Sequence, residues 1–387
     1  MSGPVVWILA PPLGAGGAPT MLVRYLRWLR SPAGCADGTV PEVHVVAGAD
    51  GTSAAEVTRL AESTTLLGPA EGRSVAGTVA AAGAQLGHEA AAAAVWQRWA
   101  RRRVRHLPRP DVVVVHGAGA WPLWRAVAPR CGRARLVLHL HELSVAIGRS
   151  VPASERWSLA AEPDAIAAPC RPDAGLRALL GARADEVVVV PECAEPPTPN
   201  DLQADARLVV GIGEAGWRKG TDRFEALAHE LARRRPEVAC QWIGAPPPPG
   251  WALADDDAGP VHWDGWHPDP WARVPPRAVV VVPSREDPLP LVAIEAARRG
   301  HAVVASGDGG LADLLDEGRG WFVASADVRD LADAAEAALD EAATTGLRAA
   351  RLRAHADAHL APEAVGPRWL ALITGRPAPP VDPEPGR

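Results

Sequence analysis

Several things are scarce in this 387-residue chain, and each scarcity narrows what it does. No run approaches the ~18 apolar residues that a bilayer-crossing helix needs, so the sequence reads as soluble and globular. The opening "MSGPVVWILAPPLG" has no basic flank and only a short apolar stretch, which is the pattern of a buried strand and not of a secretory signal. A cytoplasmic location is therefore expected. The five cysteines, Cys35, Cys131, Cys170, Cys193 and Cys240, lie far apart in odd number, which excludes a disulfide framework and a zinc ribbon. Cationic excess is missing as well: the net charge of -6 argues against nucleic acid as a partner, because a phosphate-tracking surface needs clustered positive charge.

Lysine is as scarce as any residue type present. Of forty Lys and Arg residues only Lys219 is lysine. Where positive charge alone sufficed, arginine was used, so a lone lysine marks a place where a compact, flexible ammonium does what a planar guanidinium does not. Chance survival on a surface is the competing explanation.

What is plentiful is short β-branched runs alternating with Ala-, Leu- and Arg-rich stretches, the mark of parallel sheets crossed by helices. The rhythm occurs twice. Strands are expected at 5–10, 43–47, 112–115, 136–140, 165–168 and 187–190, then at 208–212, 239–243, 279–282 and 302–305. Helices are expected near 18–30, 53–62, 90–105, 121–128 and 172–180, then near 220–235, 290–299, 309–316, 327–342 and 345–357. The fold class is α/β, with two doubly wound, Rossmann-like domains whose strand ends face a central cleft. The expected boundaries are 1–195 for an N-terminal, acceptor-side domain, 196–206 for a Pro-rich linker and 207–362 for a C-terminal domain. A helix at 363–375 crosses back to the first domain, and a disordered tail fills 376–387.

In doubly wound sheets ligands bind beyond the carboxyl ends of the strands, so the residues there carry the chemistry. Strand 5–10 runs into a glycine-rich loop in which Gly16 and Gly17 precede a helix, a place where backbone N–H groups can approach an anion. A purely structural turn explains the same residues. Strand 208–212 runs through Gly213 into "GEAGWRKG", which sets Arg218 and Lys219 beside a helix N-terminus. Cations there are unfavourable with the helix dipole and suit a diphosphate. Strand 279–282 runs into "PSREDPLPLVAIEA", with Glu286 and Asp287 before a helix and Glu295 on it. Carboxylates so placed can accept hydrogen bonds from the adjacent hydroxyls of a ribose or hexose; a helix cap and a solvated side chain are the plainer readings. The acidic run Asp255–Asp257 reads as surface, and no Asp-x-Asp motif with metal-ligand spacing stands at a strand end.

The order "RKG", then "PSREDPLPLVAIEA", then "GHAVVASGDGGLADLLDEGRGWFV" resembles the donor domain of GT-B glycosyltransferases of family 4, the glycosyl transferases group 1 type. That resemblance implies a retaining, metal-independent transfer of a sugar from a nucleoside-diphosphate sugar to an acceptor hydroxyl, with no cofactor beyond that co-substrate. It implies that Asp287, where the family usually has Glu, lies near the sugar hydroxyls, and that Glu295, eight positions on, binds the ribose. Lys219 matches the family's phosphate-binding lysine. The family's commoner arginine falls at Glu214, so Arg218 takes that part. Gly309 and Gly310 match a glycine turn on the donor side, as Gly16 and Gly17 do in the first domain, and Gly213, Leu289 and Leu291 complete the donor set. His141, in "HLHE" after strand 136–140, matches a histidine that faces the transferring sugar; His116 is a poorer match. Trp266 lies in "VHWDGWHPDPWARV", where the family lines its base pocket, although core packing explains the tryptophans equally well. The Arg-rich stretch 98–105 is an ordinary solvated face or a patch for anionic lipid, so any membrane contact is peripheral. The acceptor is a small molecule, a glycan or a lipid-linked sugar. An epimerase or phosphorylase on the same fold, or a non-catalytic sugar-nucleotide-binding protein, remains as an alternative.

Overall fold

Val, Ile and Ala runs that alternate with helical segments bury their strands on both faces, and the computed structural model shows where each one goes. It describes residues 3–35, 40–68, 89–198, 202, 207–245, 259–325, 327–340 and 342–376. The acidic run 255–257, the tail after 376 and most of 196–206 lie outside the described residues. The chain divides into one unit of Met1–Pro191 with Pro362–Arg387 and a second of Glu192–Ala361.

In the first unit, β1 (Val5–Ala10), β2 (Glu42–Ala47), β3 (Ser63–Leu66), β4 (Val112–His116), β5 (Arg135–His139), β6 (Ala165–Ala168) and β7 (Val188–Val189) form one sheet. Its order is β3-β2-β1-β4-β5-β6-β7, and every pairing is parallel. Val113, Val114 and Val115 of β4 are fully buried, each stabilising the fold by about 1.5–3 kcal/mol relative to exposure. The helix Pro362–Thr374 belongs to this unit because of specific packing: Trp369 stacks on Tyr25 with centroids 4.8 Å apart. Gly366 is there because a Cβ would stand 2.1 Å from the Trp28 ring.

The second unit repeats the plan with β8 (Leu208–Ile212), β9 (Ala239–Ile243), β10 (Val261–Gly265), β11 (Val279–Val282), β12 (Ala302–Ser306) and β13 (Trp321–Val323). The order is β10-β9-β8-β11-β12-β13, again wholly parallel. Phe224, Leu227, Ala228 and Leu231 of the helix Thr221–Arg234 cover one face, and Ala293, Ile294, Ala296 and Ala297 of the helix Leu291–Arg299 cover the other.

Three strands escape the sequence reading, β3, β10 and β13, and all three are sheet edges. An edge strand has one neighbour and mixed burial, so it lacks the continuous apolar run by which central strands are recognised. Two short helices, Ser144–Ser150 and Arg156–Ala161, were likewise unforeseen. The passage between units falls at Pro191–Glu192, ahead of the expected 196–206; by Ala194 the backbone is already bonded to Leu360.

Candidate active site

In each sheet the strand order turns back at one point, between β1 and β4 and between β8 and β11. Loops leaving those neighbours run to opposite sides and open a crevice between them. In the second unit, the loops after β8 and β11 carry the residues singled out from the sequence, and they meet. The Lys219 Nζ donates to Asp287 Oδ2 at 2.6 Å. Arg218 Nη1 donates to the same oxygen at 3.0 Å and to the Glu286 carbonyl at 3.4 Å. The backbones are joined too, Arg285 N–H donating to the Arg218 carbonyl at 2.8 Å. The carboxylate is nearly covered, with 9% of its side chain exposed, whereas Lys219 keeps 20% and Arg218 44%. Two cations on one carboxylate leave one net positive charge, on its more open side.

Neighbouring side chains hold this cluster in shape. The lysine stem runs past Gly213, its carbons 3.6–3.7 Å from where a Cβ would stand. Arg285, one residue the sequence reading passed over, is neutralised by a two-pronged bond to Asp222 at 2.6 and 2.5 Å. That bond holds the Asp222 carboxyl below its ordinary range. Beneath the acidic loop lies the turn after β12, where Asp308 bridges to Glu286 and Gly310 N–H donates to the Pro288 carbonyl at 2.6 Å. Gly309 has φ 113°, and a Cβ there would lie 2.1 Å from the Asp287 carbonyl oxygen. Gly309 and Gly310 thus support the backbone that presents Asp287.

Glu295 stands on the helix Leu291–Arg299, which follows the same loop. Its Oε2 accepts from Trp271 Nε1 at 2.8 Å. Trp271 is 5% exposed, with the Arg299 guanidinium 4.6 Å above its ring. Nothing in the spacing of Trp271 from Glu295 announces this bond in the sequence. Leu289 is buried and Leu291 partly so. Of the tryptophans near 263–271, Trp263 packs on the core and Trp271 is buried, while Trp266 is 56% exposed just past β10.

At the first sheet's strand ends, Gly16 caps the helix Gly17–Leu29 with extended backbone, and a Cβ on Gly17 would meet nothing within 4 Å. Neither glycine is required by its own packing. His141 lies two residues past the end of β5, inside a cluster. Its Nε2 is 3.2 Å from His116 Nδ1, and its ring centroid is 4.3 Å from that of His139. Burial pushes the His141 imidazole down to about 4. The same desolvation lowers His116 and His139 well below the usual imidazole range, helped by the charge His141 would carry. The backbone of this turn is pinned by Glu142, whose Oε2 accepts from Ala118 N–H at 2.9 Å and from His141 N–H at 3.0 Å.

Among the described residues, no helix is long and apolar enough to cross a membrane. Comparison with curated protein sequences finds no match. Residues 206–341 match the family model described as glycosyl transferases group 1. The whole chain is similar in structure to HepE of Anabaena in complex with UDP and glucose, with a TM-score of 0.69, 15% identity, and coverage of 96% of this chain and 99% of that one. It is similar to sucrose-phosphate synthase of Thermosynechococcus elongatus, with a TM-score of 0.67, 17% identity and coverage of 96% and 98%. It also resembles a glycosyltransferase of Rickettsia africae, with a TM-score of 0.64, 13% identity and coverage of 96% and 98%. The chain has the two-unit GT-B fold, and residues 206–341 of its second unit match the glycosyl transferases group 1 model.

Proposed function

We propose that this protein is a glycosyltransferase that takes its sugar from a nucleoside-diphosphate sugar and transfers it to an acceptor hydroxyl with retention of configuration, with no metal ion at the diphosphate. One observation carries the donor half of this reading: Lys219 and Arg218 converge on Asp287 where the second sheet's strand order turns back. As the glycosidic bond breaks, the sugar becomes oxocarbenium-like and the diphosphate gains negative charge. Fixed cations that meet this charge lower the barrier most when they need no reorganisation. Asp287 holds both cations in place beforehand, and the lysine's remaining N–H donors turn to the phosphate oxygens. Glu295, its rotamer fixed by Trp271, accepts from ribose hydroxyls. The complex of HepE with UDP-glucose supports a donor of this class. The acceptor, a small molecule, a glycan or a lipid-linked sugar, is met in the cytoplasm.

Incubation with UDP-, GDP- and TDP-sugars, with and without candidate acceptors, tests the reading. Free nucleoside diphosphate that appears only when acceptor is present supports transfer, whereas an isomerised donor sugar makes the enzyme an epimerase. Glu295→Gln is expected to weaken donor affinity by about tenfold while turnover at saturation changes little. Unaltered donor affinity contradicts the ribose role.

A further inference from the structure

The three histidines of the first unit come from adjacent parallel strand ends. His116 closes β4, and His139, its partner in register, closes β5. His141 follows two residues later. One nitrogen from each ring lies within 4.8 Å of the others. We propose that His116, His139 and His141 together bind one divalent transition-metal ion of the zinc class.

Three features of the cluster point to a ligand set. First, His116 Nε2 is 2.8 Å from the Ala18 carbonyl. A carbonyl only accepts, so the proton sits on Nε2 and the Nδ1 lone pair faces the cluster. A metal-binding imidazole is oriented in this way by donating its other N–H to a backbone carbonyl. Second, His116 Nδ1 and His141 Nε2 are 3.2 Å apart, close to the separation of about 3.3 Å that two Zn–N bonds of ~2.0–2.1 Å subtend in a tetrahedron. Third, His139 is fully buried, and neither of its ring nitrogens has a hydrogen-bond partner among the described residues. A buried polar group left in that condition costs roughly 1–3 kcal/mol, and coordination removes the cost for the nitrogen that ligates. Ordinary packing gives no reason for a polar ring at this position between Tyr25 and two other imidazoles.

The proton balance is simple. With His116 Nδ1 as acceptor, His141 donates from Nε2. When the ion binds Nε2, that proton moves to Nδ1 of the same ring, so His141 remains neutral and no proton leaves the cluster. Imidazole donors select late first-row ions such as Zn²⁺ or Co²⁺ over Mg²⁺ or Ca²⁺, which prefer oxygen. Three protein ligands leave a fourth position for water or a hydroxyl. On this assignment His141 is a ligand of the ion and not a direct contact of the transferring sugar.

The test uses the full chain, stripped with a chelator, desalted and titrated with Zn²⁺ and with Co²⁺ in the absence of any nucleotide. The expected result is one ion per chain, a visible tetrahedral Co²⁺ spectrum, and a melting temperature raised by Zn²⁺. His141→Ala, at the partly exposed ring, should lower metal affinity by ~10²-fold or more and abolish the Zn²⁺-dependent rise. His139→Phe, which keeps a planar aromatic ring without a ligating nitrogen, should do the same with native circular dichroism. Lys219→Ala should bind the ion as the natural chain does, which separates failure here from failure of the donor reading. Absence of stoichiometric uptake by the natural chain, or unchanged uptake in both natively folded histidine variants, overturns the proposal.

Discussion

At the strand ends of the second sheet the polar side chains are charged and matched, two cations on one carboxylate. At those of the first they are neutral imidazoles, one of them buried without a protein hydrogen bond. The same topology therefore prepares two kinds of chemistry. A charged cluster kept partly open can exchange an internal anion for an external one with little rearrangement. A cluster of buried neutral donors has no charge to offer an anion, and its natural guest is a cation.

The contrast is broken most severely by Lys219→Ala. Turnover should fall by ~10²-fold or more, because the leaving diphosphate loses its best-placed cation; steady-state kinetics with saturating donor measure this, and unchanged turnover removes Lys219 from the site. Next in size is a pH effect inside the second unit, which hides neutral imidazoles of its own behind the charged cluster. Burial pushes His301, stacked on Trp271, down to about 4. Between the ordinary value of 6.5 and about 4 the unfolded chain takes up a proton that the folded chain refuses. Stability is thus full above that window and is lost as pH falls through it, by on the order of 3 kcal/mol. His355, also lowered to about 4 by burial, acts in the same direction. Urea unfolding from pH 7.5 to 4 reads the slope, which His301→Gln should flatten. A smaller effect is expected from Trp271→Phe, which keeps a smaller aromatic ring and deletes the N–H that holds Glu295. Donor KM should rise about tenfold with kcat nearly unchanged, and a drop in kcat alone speaks against a ribose contact. The smallest is Arg218→Ala: its guanidinium is 44% exposed, so a loss of only a few-fold is expected, read in the same assay.

Much of this was legible in the residues. The lone lysine, the acids eight apart and the glycine turns named the loops that meet at the β8–β11 turning point, and short apolar runs named every central strand. Edge strands such as β10, "VHWDG", were missed because half their surface is polar, and the bond from Trp271 to Glu295 was missed because it joins segments whose spacing carries no period. The histidine cluster was half visible. His139 and His141 are two apart, but their meeting with His116 depends on β4 and β5 being neighbours in register, which no single-sequence pattern states. Gly16 and Gly17 teach the converse, for they match a motif without any steric demand of their own.

Whether the basic turn of the second unit holds a diphosphate is tested most directly by calorimetric titration at fixed ionic strength with UDP, GDP and TDP against their parent nucleosides. One diphosphate should bind at least ~10²-fold more tightly than its nucleoside, and Lys219→Ala should erase most of that difference. Equal binding of nucleoside and diphosphate, or a difference that survives Lys219→Ala intact, contradicts such a site.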